Sequence, residues 1–465
     1  MQFLEDNILL IEKYVQLIYI KLLQLPNNKI VKLLTFIDFL VIPILKHYTL
    51  IYILSFLLLL YNGINHILSL VLFLYILLEL SFNLYLRYTF YKQSSQKQSY
   101  LLTIKDKQRM TQIFSQTDSA QLINSWYNLT EENIKVSAYF KLKFLAWYIF
   151  NCNIKQLNKE EKECVIQYYK IIMKQHQLTS YQKVLPKYWN RNEPLNVYFK
   201  PLIFYICSYT FKSFAILSLL CVGYQCHELN GNTYYYYEPE NYEKTIIFIH
   251  GIGLGPSLYF KKLIHLRQKY INCKIIILKL NYIALSPTFN VEPMDSLLNF
   301  IDSLYIFHNL GTAIYLAHSF GSLIVSWIIK QRPQYIKKVI LIDPVCFQLW
   351  ESDVVTNFFS SSTSNCVHLF IRWFLANDPY LKFNLQFKFP FYSCLLLPED
   401  LRGIEFHIII ADLDFLINAK KLANYLKIQK QTYNLSNLSL YYLNNTTHGS
   451  YLFNQSQLNH IFSLF

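Results

Sequence analysis

Ser319 lies in the stretch IYLAHSFGSLIVSW, residues 314–327, where an apolar β-type run turns at Ala317, His318, Ser319, Phe320 and Gly321 and continues as a helix-like segment. Small residues two places before and after such a serine allow a strained strand-to-helix turn that leaves Oγ exposed at the top of a sheet. Here Ala317 stands where the G-x-S-x-G form has its first glycine. A serine hydroxyl is a weak nucleophile until an imidazole takes its proton, and the imidazole in turn needs a carboxylate to fix its tautomer. Both partners must therefore be sought downstream, each at the carboxyl end of a strand.

Two segments meet that requirement. The run IIIA is followed by DLDFLIN, which brings Asp412 and Asp414 to a strand end, and Thr446, Thr447, His448 and Gly449 follow the last expected strand. Upstream, HGIGLG at 250–255 follows an apolar strand, and its glycines let backbone N–H groups face a ligand where an oxyanion donor is needed. The competing reading is a phosphate-binding turn, since Gly251 and Gly253 loosely resemble a dinucleotide loop. No G-x-G-x-x-G is completed and no acid closes the next strand, which argues against it.

The elements that must position these residues alternate from about Asn232 onward. Strands are expected at 234–237, 245–249, 274–280, through the serine turn, and at 339–342, 406–411 and 438–443. Helices are expected at 258–270, 295–308 and 418–428 and after Asn454. That alternation predicts an α/β domain with a mainly parallel sheet.

With HGIG, AHSFG and DPVCF in this order, the chain resembles the α/β-hydrolase superfamily from roughly Tyr234 to the end. It is similar to a membrane-associated branch carrying HGIG, [AG]HS[FY]G and DPVCF segments. The resemblance implies an α/β-hydrolase sheet with a cap insertion at about 344–402, a triad of Ser319, Asp414 and His448, and an oxyanion hole from the amides of Ile252 and Phe320. His250, Gly251 and Gly253 become a supporting loop, and His318 a positioning residue. Asp414 matches the acid of a G-x-x-D-x-[ILV]-V pattern with Ala411 in place of glycine. Asp412 is the rival, read as a solvated loop acid, and Asp343 would be an acid one strand earlier, although Asp-Pro is a common turn former. The aromatic insertion, with Phe370, Trp373, Phe389 and Phe391, suits a hydrophobic acyl group, although a packed core would use the same residues. Neither a metal nor an organic cofactor is implied.

Composition places this domain near lipid. Hydrophobic residues make up 53% of 465 and charged residues 15%, too apolar for an ordinary soluble chain. The net charge of +14 comes from scattered lysines without a basic block, which fits an anionic bilayer better than nucleic acid. Nine cysteines without a C-x-x-C pair point to a reducing compartment. Residues 1–47 read as an amphipathic segment lying on a membrane. Residues 48–88 are long enough for two spans of ~20 residues turning at Asn62, Gly63 and Asn65, a transmembrane helical hairpin. One long helix or a buried soluble core would carry the same pattern. Lys29, Lys32 and Lys46 before it, and Arg87, Lys92 and Lys97 after it, put both ends and the catalytic domain in the cytosol. Residues 89–193 form a helical spacer without chemistry, helix-starting at Thr130. Residues 194–230 are a membrane-associated helix, because Lys212 would cost roughly 2.5–3.5 kcal/mol at mid-span. The hydrolase domain occupies 231–465. Sequons at Asn128, Asn434, Asn437, Asn444, Asn445 and Asn454 are better explained by an Asn-rich sequence on the cytosolic side.

These readings converge on a membrane-anchored serine hydrolase that cleaves a lipid or acyl ester through an acyl-enzyme. An acyltransferase on the same triad and a non-catalytic scaffold are the alternatives.

Overall fold

Short runs of Ile, Leu and Val buried on both faces are what a central parallel sheet requires, and such runs form most of an eight-stranded sheet in the computed structural model. The structure describes residues 67–94, 103–116, 122, 125, 126, 138–150, 153–175, 197–359 and 371–465. The strands are β1 Gln225–Leu229, β2 Asn232–Tyr237, β3 Lys244–Ile249, β4 Cys273–Leu278, β5 Ala313–His318, β6 Ile336–Ile342, β7 Glu405–Ala411 and β8 Leu438–Leu443. Their order is β1-β2-β4-β3-β5-β6-β7-β8, with β1/β2 and β2/β4 antiparallel and the others parallel.

Alternation along β3 shows how both faces are used. Ile247 and Ile249 join the core that contains Leu297, Leu304, Ile324 and Ile328, from the helices Met294–Phe307 and Gly321–Gln331. Ile246 and Phe248 join the opposite core with Leu263, Leu266 and Ile461, from Phe260–Lys269 and Gln455–Phe462. β3 lies between β4 and β5, so the chain order reverses there, and the carboxyl ends of β3 and β5 open on the crevice where α/β sheets bind ligands.

The sheet begins before the boundary of 231 read from the sequence. β1 falls in the segment assigned to the membrane-associated helix, and it pairs with β2 from Gln225↔Tyr236 to Leu229↔Asn232. Its side chains are mostly exposed, so no apolar run marks it. The signal was the turn: Asn230 and Gly231 both have positive φ, +52° and +75°, as a two-residue hairpin of the Asn-Gly type needs.

The N-terminal helices pack on this domain. Ile67–Ser94 is one helix of 28 residues, about 42 Å at the usual rise. Its buried Glu79 accepts the Leu202 N–H through both oxygens at 2.9 Å, at the start of the helix Leu202–Cys221. That helix turns Tyr205, Ser208, Lys212, Ala215 and Leu219 inward. Lys212 therefore points into protein, donating to Leu285 O at 3.1 Å, while Ile203, Ile206, Leu217 and Leu220 stay exposed. Two stretches among the described residues, Ser69–Gln93 and Leu202–Cys221, are long and apolar enough to cross a membrane. The 1–47 segment, the first hairpin arm with its turn, Thr130, Asn128 and Phe370 lie outside the described residues.

The spacer helices are also tied to the 344–402 insertion. Arg109 forms a two-pronged ion pair with Asp400, one arm at 2.7 Å. The carbonyl of Trp350 accepts Trp126 Nε1–H at 3.0 Å and Tyr148 O–H at 2.8 Å.

Candidate active site

β5 delivers Ser319 to a backbone that only a tight turn can hold. Its φ is +51°, a left-handed value that costs an ordinary residue roughly 1–2 kcal/mol, and its N–H is anchored on Ile342 O at 2.9 Å. The following helix starts hard against the end of β3. A Cβ on Gly321 would sit 2.4 Å from Ile249 O, so glycine is required there. Ala317, in the first-glycine position, is fully buried inside β5 and paired with Ile249 and Leu341, where its methyl is accommodated.

Three strand ends bring the predicted residues together. His448 Nε2 lies 2.9 Å from Ser319 Oγ, and His448 Nδ1 lies 2.6 Å from Asp414 Oδ2. The other Asp414 oxygen accepts the amides of Leu416 at 2.7 Å and Ile417 at 3.1 Å, which fixes the carboxylate's direction. Burial alone would lower the His448 pKa, but the charges of Asp414 and then Asp343 outweigh it and hold it above the ordinary imidazole value. Asp412 is directed elsewhere. Its oxygens accept the Asn445 and Thr446 amides at 2.9 Å, and these bonds hold its pKa below the usual carboxylate range against a desolvation that raises it.

Asp343 is neither a second triad acid nor a simple turn former. It is buried, with φ +46°, and its oxygens accept Ala411 N–H and Gly449 N–H, each at 2.9 Å. It thereby ties the strand end that leads to Asp414 to the loop that carries His448. Desolvation pushes its pKa up to about 6.

Behind Ser319 the two other histidines serve the loops. The Gly251 carbonyl can only accept, so His250 carries its proton on Nδ1, 2.8 Å away, and Nε2 accepts Leu280 N–H at 3.0 Å. Burial lowers its pKa to about 4 and keeps the ring neutral. Tyr259 accepts Gly251 N–H at 3.0 Å and faces His318 Nδ1 at 2.7 Å, to which its hydroxyl donates. This leaves the His318 proton on Nε2, 3.9 Å from Asp343 and without a hydrogen-bond partner. Sequence reasoning missed Tyr259. It stands 59 residues from His318, and no local pattern announces a contact of that kind.

Among the described residues the amides of Ile252 and Phe320 have no intramolecular acceptor, and both residues line a cavity of about 140 Å³ over Ser319. Its wall is apolar. The insertion contributes Phe358, Phe389 and Phe391 among others, and Trp373, expected there too, is not among the lining residues. Trp126, Trp147 and Ile149 complete the wall. The spacer, in which the sequence shows no chemistry, thus lines the cavity over Ser319. Trp126, Trp147 and Ile149 stand 170 to 193 residues before Ser319, and contact at that separation leaves no mark on local periodicity.

Asp343, Asp414 and His448 offer donors within 4.8 Å of one another, the grouping among the described residues that most resembles a metal site. Each donor is already engaged: His448 with Ser319 and Asp414, Asp343 with two amides. The cluster is organised around the serine.

No family model matches the chain, and no curated protein matches it in sequence. Solved structures resemble it over about half its length. A membrane phospholipase A described as a bacterial virulence factor is similar at 12% identity and TM-score 0.41, covering 56% of this chain and 91% of its own. A carboxylesterase from Nitrososphaera gargenis is similar at 17% identity and TM-score 0.40, with 52% of this chain and 97% of its own covered. An α/β hydrolase from the sediment metagenome of the Mar Chica lagoon, Morocco, is similar at 14% identity and TM-score 0.34, with 52% and 96% covered.

Proposed function

We propose that this protein is a serine hydrolase that cleaves a carboxylic ester with an apolar acyl group, through an acyl-enzyme on Ser319. The observation that carries the reading is His448, whose two ring nitrogens meet Ser319 Oγ at 2.9 Å and Asp414 at 2.6 Å. In the first step His448 Nε2 takes the Oγ proton as Oγ bonds to the ester carbonyl carbon, and Asp414 stabilises the imidazolium that forms. The Ile252 and Phe320 amides receive the oxyanion. The imidazolium then protonates the departing alcohol, and water activated by the same nitrogen releases the acid. The acyl chain lies in the apolar cavity, where each buried methylene contributes about 0.8 kcal/mol. A scaffold that kept only the fold has no use for a serine, histidine and carboxylate held in line.

The exposed apolar faces of Ile67–Ser94 and Leu202–Cys221 support a membrane attachment that brings the cavity to lipid esters. Resistance of the protein to alkaline carbonate extraction tests integral attachment, and release into the supernatant rules it out.

Fluorophosphonate labelling of membrane fractions tests the chemistry. The parent should label, and Ser319→Ala and His448→Ala should not, since losing either group costs on the order of 10⁶ in turnover. A folded parent that does not label refutes the proposal.

A further inference from the structure

A second pocket, of about 360 Å³, lies between the helix Leu202–Cys221, the loop at Leu254, Pro256 and Ser257, and the turn after β4. Its character is the opposite of the acyl cavity. Two ammonium groups, Lys212 and Lys279, line it together with Ser213, Ser257, Asn281 and Thr288. Lys212 is only 8% exposed and has neutral acceptors alone, Leu285 O at 3.1 Å and Ser286 Oγ at 3.4 Å. Lys279 is half-buried, and its ammonium has no acceptor among the described residues.

Two partly desolvated cations without a counter-ion are costly, because buried charges need pairing. The acid whose charge reaches Lys212 is Asp378, and that carboxylate is already held by the amides of Tyr380 and Leu381 at 3.1 and 3.0 Å and by the Tyr205 hydroxyl at 3.2 Å. No carboxylate lies within ion-pair distance of either lysine among the described residues. An anion with several acceptor oxygens would take the two ammoniums and the surrounding hydroxyls at once.

We infer that this pocket binds a phosphate group, carried by an anionic phospholipid headgroup or by a small phosphate ester. Phosphate has the acceptors such a donor set needs, and lysine is a point-charge phosphate ligand. The surroundings suit a headgroup: Tyr209 and Ile216 of the pocket wall belong to the helix whose outer face exposes Ile206, Leu217 and Leu220. The pocket also backs onto the oxyanion loop. Leu254 follows Gly253, whose N–H is held by Ile283 O at 3.1 Å, and Lys279 precedes Leu280, whose N–H is held by His250. Leu254 of this pocket is two residues from Ile252, which lines the cavity over Ser319. The membrane reading bears only on where the phosphate comes from.

The test is ligand-induced thermal stabilisation of the full chain in neutral detergent at physiological ionic strength. The probes are dihexanoyl phosphatidylglycerol, inorganic phosphate and, as a zwitterionic control, dihexanoyl phosphatidylcholine. Saturable stabilisation by phosphatidylglycerol is expected, weakened about tenfold or more in Lys279→Gln, as loss of one charged hydrogen bond implies. Lys337→Gln, an exposed lysine on β6, should bind like the parent. Lys212→Gln repeats the test where that variant folds, and Lys279→Gln carries it otherwise. Phosphatidylglycerol binding without inorganic phosphate binding identifies a lipid source, and equal binding identifies a soluble phosphate ester. No saturable response to either, or equal affinity in the parent and Lys279→Gln, overturns the site. Because the readout is binding, it stands or falls separately from hydrolysis.

Discussion

Gly449, the residue after the histidine that meets Ser319, donates its backbone N–H to Asp343 Oδ2 at 2.9 Å. The other oxygen of Asp343 takes the Ala411 N–H, so one buried side chain fastens the acid strand and the histidine loop to the end of β6. An asparagine can accept only one of these amides. Asp343→Asn should lower stability by about 1–3 kcal/mol, measured by denaturant unfolding, while leaving Ser319, Asp414 and His448 chemically intact.

The same variant should move the pH profile. The proposed reaction needs neutral His448, whose pKa is raised, so kcat/KM should fall as pH drops through a value above the ordinary ~6.5. Asp343 contributes to that upward shift. Removing its charge should carry the acid limb to lower pH, and a limb that stays fixed would show that Asp343 does not act on His448.

Asp414 and Asp412 are separated by a single residue but not by role. Asp414→Asn should cut turnover by about 10⁴, the scale seen when a triad carboxylate is replaced and the imidazole takes the wrong tautomer. Asp412→Asn loosens only the Asn445–Thr446 turn, so most of the fluorophosphonate labelling should survive. The reverse ranking would reassign the acid.

Gly321→Ala places a methyl 2.4 Å from a backbone oxygen that cannot move aside, and it should cost about 3 kcal/mol or more in thermal unfolding. Gly251→Ala meets side-chain atoms of His318, Ser319 and Tyr259 at 3.0–3.2 Å and should cost less, while displacing the loop of the proposed oxyanion donor Ile252. Equal Tm values for Gly321→Ala and the parent would show that the elbow does not pack as described.

Trp147 is partly buried and lines the cavity over Ser319 from a helix far from the sheet in sequence. Trp147→Ala should lengthen the cavity and shift the optimum among p-nitrophenyl esters toward longer chains. The gain should be about fourfold in kcat/KM per additional methylene buried, from ~0.8 kcal/mol each. An unchanged chain-length profile would place the acyl group elsewhere.

Much of the candidate site was legible in the chain because its signals are local. Apolar runs of four or five residues mark β3 to β8, each predicted site residue falls just beyond a strand end, and a parallel sheet necessarily gathers those ends on one edge. Residue type does the rest: Gly321 is needed by a contact inside one turn, and Ser319, Asp414 and His448 are chemically apt wherever such an edge brings them. Tertiary structure alone decided what depends on contacts between distant segments. It turned Lys212 inward, gave Asp343 two amides to hold, set Tyr259 between Gly251 and His318, and made Trp126 and Trp147 part of the wall of the cavity over Ser319. None of these follows from periodicity, because a residue that packs against a site and one that packs against a core occupy the same buried face of a helix.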